Sequence, residues 1–299
     1  MKKITAPVVA ARLPKRAPSA HKGNFGRVLV VAGSRQMCGA GWLCALGALR
    51  AGAGLVAWVL PESMQPAFAA ALPEVITVPA AETRDGLLSA NAQTDLVRFC
   101  NHFKPTVLAC GPGMGESPLL PFLLGKTDFP LVLDADGLNF VAAHPAVCLS
   151  GRPCICTPHP GEMARLLKRP VATDEKTRVQ QAQGWSEKTS TVTVLKGAKT
   201  VVAFSNEIWE NTTGNVALAK GGSGDVLTGV IAGLWAQLGA AQGFTGQSAL
   251  QAALCGVYLH GLSGDLVARE LTAYGVLARD VADRVPAALK QVLATRSVK

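Results

Sequence analysis

The stretch of the chain best suited to chemistry is a glycine-rich loop that leads into an apolar helix. It reads Gly221-Gly222-Ser223-Gly224-Asp225, and apolar residues follow it at helical spacing. Glycines let backbone N–H groups approach a ligand closely, and the first turn of a helix attracts an anion. A carboxylate is unfavourable there unless it has a role. We therefore expect Asp225 to take the proton of a hydroxyl as a phosphoryl group arrives.

The same letters are compatible with an ordinary helix cap, because Ser and Asp are common at that position. The spacing alone leaves function and capping equally supported. A similar stretch, Gly261-Leu262-Ser263-Gly264-Asp265, lies inside a long segment of apolar periodicity. We interpret it as helix interior with small residues for close packing. We expect Asp265→Asn to leave the chemistry intact, and Asp225→Asn to lower turnover with little change in stability.

Apolar runs alternate with helical patterns along most of the chain. Predicted strands cover residues 27–32, 55–59, 106–110, 131–134, 154–157 and 191–195, with a hairpin at 201–204 and 207–210. Predicted helices cover residues 39–50, 64–72, 90–102, 163–167 and 174–188, and helices dominate after the hairpin. This alternation predicts a mostly parallel sheet with helices on both faces, a three-layer α/β fold. We expect one domain over residues 1–299, with residues 1–21 as an extended, proline-rich lead-in.

Polar or glycine-rich loops follow several predicted strands directly. Ser34, Gly111, Asp134, Pro158 and Lys196 each come at the end of an apolar run. In an open parallel sheet, ligands bind at the carboxyl ends of the strands. These loops should therefore converge on one rim that faces the loop of residues 221–225.

Two of these loops contain groups suited to phosphate or magnesium. Gly111-Pro112-Gly113-Met114-Gly115 is either an anion-binding turn or simply a tight turn between strand and helix. Asp134 and Asp136 could hold Mg²⁺ through water, although Asp134 could equally cap the next turn.

Two further loops could contact substrate or nucleotide. His159 lies in a rigid Pro-His-Pro-Gly sequence, which favours substrate contact over the structural role more usual for a lone histidine. Glu162 is either a carboxylate favoured by a helix dipole or a ligand to metal-bound water. Residues 196–200 offer backbone N–H groups and two cations for the phosphates or ribose of a nucleotide.

Several functional classes lack support in the sequence. It contains no Walker A sequence and no G-x-G-x-x-G after a strand, so any nicotinamide nucleotide should be a substrate. The net charge is +9, but the cations are scattered and no basic-aromatic repeat suggests nucleic acid. The eight cysteines form no metal pattern, and we expect buried free thiols, with Cys154 and Cys156 on opposite faces of a strand. No apolar run predicts a signal peptide or a membrane span, so we expect a cytoplasmic protein.

Several segments, in this order, resemble the signature blocks of the NAD(P)H-hydrate dehydratase family of the ribokinase-like superfamily. They are His21-Lys22-Gly23, CGPGMG, LDADGLN, TPHPGEMARLL, VLKGAKT and NTTGNVALAKGGSGDVLTG. The resemblance runs from about residue 21 to the last helix, and it implies a ribokinase-like fold.

The resemblance also implies roles for individual residues. The hydrated nicotinamide substrate is expected at Ala40, Gly113, Gly115, His159 and Asp225, with Asp225 as the catalytic base. The adenine nucleotide is expected at Lys196, Gly197, Ala198, Lys199, Thr200, Asn215 and Gly224. The transferred phosphate is expected at the N–H groups of Gly221, Gly222, Ser223 and Gly224. Any Mg²⁺ would be held through water by Glu162 or Asp134.

The reaction implied is the ADP- or ATP-driven dehydration of S-form hydrated NADH or NADPH. Many family members have an N-terminal epimerase domain, and 21 residues are too few to form one, so we expect a stand-alone dehydratase with a separate epimerase. The family also suggests a homotetramer. The residues alone reach only phosphoryl transfer to a small hydroxyl, which leaves a vitamin or sugar kinase of the same fold as the main alternative. A regulatory nucleotide-binding module and a nucleic-acid binder have less support.

Overall fold

The computed structural model of the protein describes residues 1–298. Its strands are β1 (Lys2–Ile4), β2 (Arg27–Val31), β3 (Leu55–Pro61), β4 (Ile76–Ala80), β5 (Val107–Cys110), β6 (Leu131–Leu133), β7 (Cys154–Cys156), β8 (Val192–Leu195), β9 (Val201–Phe204) and β10 (Glu207–Asn211). Its helices are α1 (Ala6–Arg12), α2 (Cys38–Arg50), α3 (Gln65–Ala69), α4 (Ala92–Phe103), α5 (Leu120–Gly125), α6 (Ala135–Ala143), α7 (Pro160–Leu167), α8 (Glu175–Thr189), α9 (Ser223–Gln242), α10 (Gly246–Gly275) and α11 (Ala278–Ala294).

The ten strands form one sheet in the order β1-β10-β9-β8-β7-β6-β5-β2-β3-β4. Neighbouring strands pair in parallel from β8 through to β4, and β1 pairs in parallel with β10. Only β9 runs against its neighbours, because the hairpin that it forms with β10 reverses the chain. All the strands that lead into candidate site loops therefore end at the same edge.

Helices cover both faces of the sheet. Alternate residues of β2 point to opposite sides: Val28 and Val30 pack with α2, α9, α10 and α11, whereas Leu29 and Val31 pack with α4 to α8. Because both faces are buried, the central strands are continuously apolar. The predicted three-layer α/β architecture is confirmed.

Glycines set the contact between α2 and α9. A Cβ on Gly229 would lie 1.9 Å from the carbonyl oxygen of Cys44, and one on Gly233 would lie 2.5 Å from that of Ala48. Larger residues would push the two helices apart. This close packing fixes the start of α9, which carries the Gly221–Asp225 sequence, against α2.

Several predicted elements differ from the observed ones. The lead-in is not simply extended, because β1 adds to the sheet edge and α1 follows, with Pro7 tolerated in its first turn. The segment after β6 was interpreted as a loop, but α6 begins at Ala135. The sequence reading also missed β4 and α5, and it made α3 too long.

The cysteines follow the expectation in part. Five are buried and none is disulfide-bonded within residues 1–298, but Cys148 is exposed. The placement of Cys154 and Cys156 on opposite faces was wrong. Residues two apart on a strand share a face, and their sulfur atoms lie 3.9 Å apart. No helix in residues 1–298 is long and apolar enough to cross a membrane.

Candidate active site

The loops at the carboxyl ends of the central strands are joined to one another by backbone hydrogen bonds. Gly33 N donates to Pro112 O at 2.7 Å, Thr157 N to Leu133 O at 3.0 Å and Lys196 N to Pro158 O at 2.8 Å. The loops after β2, β5, β7 and β8 therefore form one continuous rim, as the parallel topology predicts.

A buried ion pair lies at the centre of this rim. Asp134 is 1% exposed, and its Oδ1 lies 2.5 Å from Lys196 Nζ. Its Oδ2 accepts a hydrogen bond from Thr228 Oγ1 at 2.9 Å. The Asp134 side chain makes no capping bond at the start of α6, so the alternative role as a cap is not supported.

Glu162 completes the charge cluster from the start of α7. Its Oε2 lies 3.7 Å from Lys196 Nζ and accepts from His159 N at 2.7 Å. Burial raises the pKa of Glu162, and Lys196 opposes that shift. Burial would lower the pKa of Lys196, but Asp134 and Glu162 outweigh it and raise that pKa. The ammonium group therefore stays charged between the two carboxylates.

Asp225 is the third residue of α9 and faces the same cluster. The helix is capped by Gly222, which has a φ of 88° and supplies no side-chain acceptor to the first turn. A glycine suits this left-handed conformation. Neither Ser223 nor Asp225 is the cap, so the capping alternative loses its support, and the free N–H groups of the first turn remain available to an anion.

The carboxyl group of Asp225 has a strongly raised pKa. Burial and the charge of Asp134 raise its pKa to about 7, although Lys196 acts in the opposite direction. A general base works best when its pKa lies near the working pH. A Cβ on Gly224 would lie 3.3 Å from Lys196 Nζ. The glycine loop, the ion pair and Asp225 therefore belong to one site.

The turn after β5 brings two predicted substrate contacts together. Gly113 has a φ of 62°, and a Cβ there would lie 2.8 Å from Ala40 Cβ in α2. Gly115 N donates to Asp136 Oδ2 at 2.8 Å, which fixes the end of the turn to α6. Glycine at position 113 thus allows the turn to pack closely against α2.

The His159 side chain caps a helix and is also partly exposed. It caps α7, with Nδ1 accepting from Gly161 N at 2.9 Å and from Glu162 N at 3.3 Å. Burial and Lys196 lower its pKa, which agrees with a neutral ring that accepts at Nδ1. Its side chain is still 49% exposed. Capping therefore leaves part of the ring free to contact a substrate.

The predicted nucleotide segment lies at the end of β8. Gly197, Ala198 and Lys199 are exposed, whereas the Lys196 side chain points inward to Asp134. Arg178 of α8 supports the segment from behind, donating to Ala198 O at 2.8 Å and to Lys196 O at 3.4 Å. The two lysines therefore have different environments, and only Lys199 is free at the surface.

Asn215 lies in the loop after β10, and hydrogen bonds to Asp265 of α10 fix the position of this loop. Asp265 Oδ1 accepts from Asn215 Nδ2 at 2.7 Å, and Oδ2 accepts from Gly214 N at 2.9 Å. The interpretation of residues 261–265 as helix interior is confirmed, and a Cβ on Gly261 would lie 2.3 Å from Thr213 Oγ1. Asp265 therefore has a contact that the sequence did not predict, with a loop expected at the nucleotide, and the prediction that Asp265→Asn leaves the chemistry intact stays a prediction.

Sequence reasoning missed three residues at this site. Thr228 could have been found, since it lies three residues after Asp225 and so shares a helix face with it. Nothing in the sequence marked Arg178. His260 is buried under the glycine loop, and burial lowers its pKa to about 4, so it is neutral.

The carboxylates of the rim do not form a metal cage. Within residues 1–298 no group of three or more His, Cys, Asp or Glu residues could hold an ion. Both oxygens of Asp134 are already engaged. Magnesium keeps several waters and binds chiefly through substrate phosphates. The residues present therefore fit a magnesium ion carried by a nucleotide and reached through water.

Comparisons with known proteins agree with this geometry. The family described as NAD(P)H-hydrate dehydratase matches residues 28–287. The ADP-dependent (S)-NAD(P)H-hydrate dehydratase of Bacillus subtilis is 36% identical over 288 residues, covering 95% of this chain and 96% of the relative. The bifunctional NAD(P)H-hydrate repair enzyme of Moorella thermoacetica is 40% identical over 295 residues, which are 97% of this chain and 54% of the relative. The chain thus spans about half the length of that bifunctional relative.

Solved structures support the same grouping. The Bacillus subtilis ADP/ATP-dependent NAD(P)H-hydrate dehydratase co-crystallized with ATP/Mg²⁺ has a TM-score of 0.77 and 32% identity, covering 97% of this chain and 98% of that one. A ribokinase-like superfamily protein from Enterococcus faecalis has a TM-score of 0.79 and 25% identity, covering 97% and 96%. The predicted ribokinase-like fold is confirmed. A family match that covers most of the sequence, together with relatives above 30% identity, shows that the chain belongs to the NAD(P)H-hydrate dehydratase family.

Proposed function

We propose that this chain dehydrates the S form of hydrated NADH or NADPH to the reduced cofactor, with ADP or ATP as phosphoryl donor. The observation that carries this proposal is Asp225, whose pKa is raised to about 7 at the start of α9, where no side chain caps the first turn. A carboxylate in that state can accept the proton of the ring hydroxyl. The adjacent N–H groups can stabilise the charge on the transferred phosphoryl group.

The chemistry proceeds in two stages. The deprotonated hydroxyl oxygen attacks the terminal phosphorus of the nucleotide, and the bond to the bridging oxygen of the nucleotide breaks. The ring carbon–oxygen bond then breaks with phosphate as leaving group, and an adjacent ring carbon loses a proton as the double bond re-forms. One phosphoanhydride is consumed for each water removed.

The described contacts support a division of the rim between two ligands. The hydrated ring would lie by Ala40, Gly113, Gly115 and His159, within reach of Asp225. The nucleotide would lie along residues 196–200, with Asn215 and Gly224, and its terminal phosphate at the loop of Gly221, Gly222, Ser223 and Gly224. Lys196 is close enough to Gly224 to neutralise charge where the two ligands meet.

The proposal also covers the metal ion, the cellular location, the oligomeric state and a second enzyme. A magnesium ion would neutralise the phosphates of the nucleotide, with Glu162 and Asp134 reached through water. We place the enzyme in the cytoplasm, where the reduced cofactors are used, and expect a homotetramer. A separate epimerase would convert the R form of the hydrate into the S form.

The test is to incubate the protein with hydrated NADH, Mg²⁺ and either ADP or ATP. We expect dihydronicotinamide absorbance to return in a one-to-one ratio with inorganic phosphate, and Asp225→Asn to abolish both signals. A stable phosphorylated product without phosphate release would show a kinase instead. Nucleotide binding by the wild-type protein with neither absorbance recovery nor phosphate release would indicate a regulatory module.

A further inference from the structure

A cavity of about 710 Å³ opens beside the candidate active site, on the side of the turn after β5. Gly115 and Asp136 lie at the end nearest the site, and residues of α5, α6 and α7 line the rest. Asp225 and Lys196 are not among the described lining residues. The cavity is thus an extension of the rim, and neither the nucleotide segment nor the phosphate loop uses it.

Along one wall of the cavity, hydrogen bonds link four residues in succession, beginning in the turn after β5. Gly115 N donates to Asp136 Oδ2 at 2.8 Å, and Asp136 Oδ1 accepts from Asn139 Nδ2 at 3.2 Å. Asn139 Oδ1 in turn accepts from Arg165 Nε at 2.9 Å. This last bond orients the guanidinium group. No acceptor within residues 1–298 takes its terminal N–H groups, so they are free to bind an anion.

Another part of the wall offers flat apolar surfaces. Phe140 stacks on His144, with ring centroids 4.0 Å apart and planes inclined by 22°. Pro118 and Pro121 also line the cavity, as does the exposed carboxylate of Glu116. Aromatic and proline faces suit the stacking of a purine, and a carboxylate can accept from ribose hydroxyls.

The proposed substrate is larger than the site around Asp225. Only the hydrated ring of the dinucleotide reacts, so its other half must lie elsewhere. Gly113 is predicted to contact the ring, and Gly115, two residues further, already lines the cavity. A volume of 710 Å³ lies within the usual range of small-molecule sites.

We propose that this cavity binds the adenosine monophosphate half of the hydrated dinucleotide, with the purine against Phe140 and a phosphate at Arg165. This inference rests on the proposed function, because it assumes a dinucleotide substrate. It separates two adenine sites on one rim: the donor nucleotide lies near residues 196–200, and the substrate adenosine near α6 and α7.

The experiment compares two ligands, hydrated NADH and hydrated reduced nicotinamide mononucleotide, which lacks the adenosine monophosphate half. Dissociation constants are measured by calorimetry without donor nucleotide, and KM values with ADP and Mg²⁺. Arg165→Gln should weaken binding of hydrated NADH roughly 10-fold, the usual effect of a lost hydrogen bond to a charged group. Binding of the mononucleotide and the KM for ADP should stay unchanged.

The matched control is Arg169→Gln, which removes the same charge four residues further along the chain. Arg169 lines a separate cavity of about 310 Å³, and its loss should affect neither ligand. If Arg165→Gln weakened both ligands equally, Arg165 would only support the turn and the subsite would be wrong. Equal affinity of the wild-type protein for the two ligands would also overturn it. Tighter binding of hydrated NADH without turnover would uphold the subsite while the proposed reaction failed.

Discussion

At the scale of residues, the site depends on four ionisable groups that share one region of low solvent access. Asp134, Glu162 and Asp225 lie around a single ammonium group, that of Lys196. Asp134 has the short contact with Lys196, and Thr228 engages its other oxygen. The charge of Lys196 offsets the burial of Asp225 only in part, so the pKa of Asp225 is raised. A buried carboxyl group with a strongly perturbed pKa is typical of acid–base sites.

Asp225→Asn should increase stability in a pH-dependent way. The folded pKa is about 7 against an ordinary value of 3.8, so ionisation of Asp225 opposes folding. This penalty is absent below an unfolded pKa of about 4, grows as the pH rises and is complete above about pH 7. We expect the gain in free energy of unfolding to be near zero at pH 3.5 and largest at pH 8, as measured by urea denaturation.

The sequence alone predicts that Asp225→Asn changes stability little, and a pH-dependent gain would contradict that prediction. The same variant should lose roughly two to four orders of magnitude in turnover, the range for a positioned base. A stability gain that is equal at every pH would mean that Asp225 titrates normally and is not tuned for proton transfer.

Lys196→Met should move the pH dependence of the reaction. Lys196 lowers the pKa of Asp225, so its removal should raise that pKa further. The rise of kcat/KM with pH, which reports the free enzyme, should then shift to higher pH. The variant will also be less stable, because Asp134 loses its buried partner. Circular dichroism should therefore define the pH range in which the variant stays folded.

Lys199→Met is the matched control for the charge change. Lys199 lies three residues away and is exposed, so it should alter nucleotide affinity without moving the pH profile. Equal shifts in the two variants would show that net charge, and not the Lys196–Asp134 contact, governs Asp225.

At the scale of elements, α10 forms hydrogen bonds to the chain around the end of β10 as well as packing in the core. Asn211 is the last residue of β10, and Thr213 and Asn215 belong to the loop after it. Asn211 Nδ2 donates to Val257 O at 3.1 Å and Thr213 Oγ1 to Tyr258 O at 2.8 Å, both in α10. Asp265 adds two bonds from the same helix face. The loop that we propose contacts the nucleotide is thus ordered by a helix that also buries its apolar side in the core.

Asp265→Ala should weaken nucleotide binding more than turnover. It leaves Gly214 N and Asn215 Nδ2 without their acceptor, so we expect the KM for ADP to rise roughly 10-fold while kcat changes less than about 2-fold. Steady-state kinetics at saturating hydrated NADH would measure this. Asp283→Ala removes the same charge from an exposed pair with Arg50 and serves as the control. An unchanged KM for ADP would mean that Asn215 does not need this anchor.

The sequence predicted the elements whose signal is local and missed those set by distant contacts. β2, β7 and β8 are continuous apolar runs, and their order along the chain is enough to predict a parallel sheet. The rim follows from that topology, so Asp134, His159 and Lys196 could be placed there. Asp265 could not, because its partners lie some fifty residues earlier in the chain. The capping role of His159 and the cap of α9 at Gly222 depend on backbone geometry that residue letters do not specify.

At the scale of the whole molecule, the first thirteen residues join the sheet edge to the helical layer. β1 pairs with β10, and Ile4 O accepts from Thr212 Oγ1 at 2.6 Å, directly beside the nucleotide loop. Ala10 O accepts from Arg296 Nε at 2.6 Å near the other end of the chain. β1 therefore covers an edge that would otherwise expose unpaired backbone groups.

Ile4→Ala tests whether this segment is part of the cooperative fold. Ile4 is 0% exposed and packs in the same cluster as α9 and α10. Truncating a buried isoleucine should lower the free energy of unfolding by roughly 2–5 kcal/mol, because the cavity cannot collapse completely. Lys2→Ala, which changes a side chain that is 60% exposed, should cost much less, since its surface ion pair with Glu207 contributes little. Urea denaturation followed by tryptophan fluorescence would measure both variants. A loss below about 1 kcal/mol for Ile4→Ala, with unchanged protection of β10 in hydrogen exchange, would show that the first strand is only peripheral to the fold.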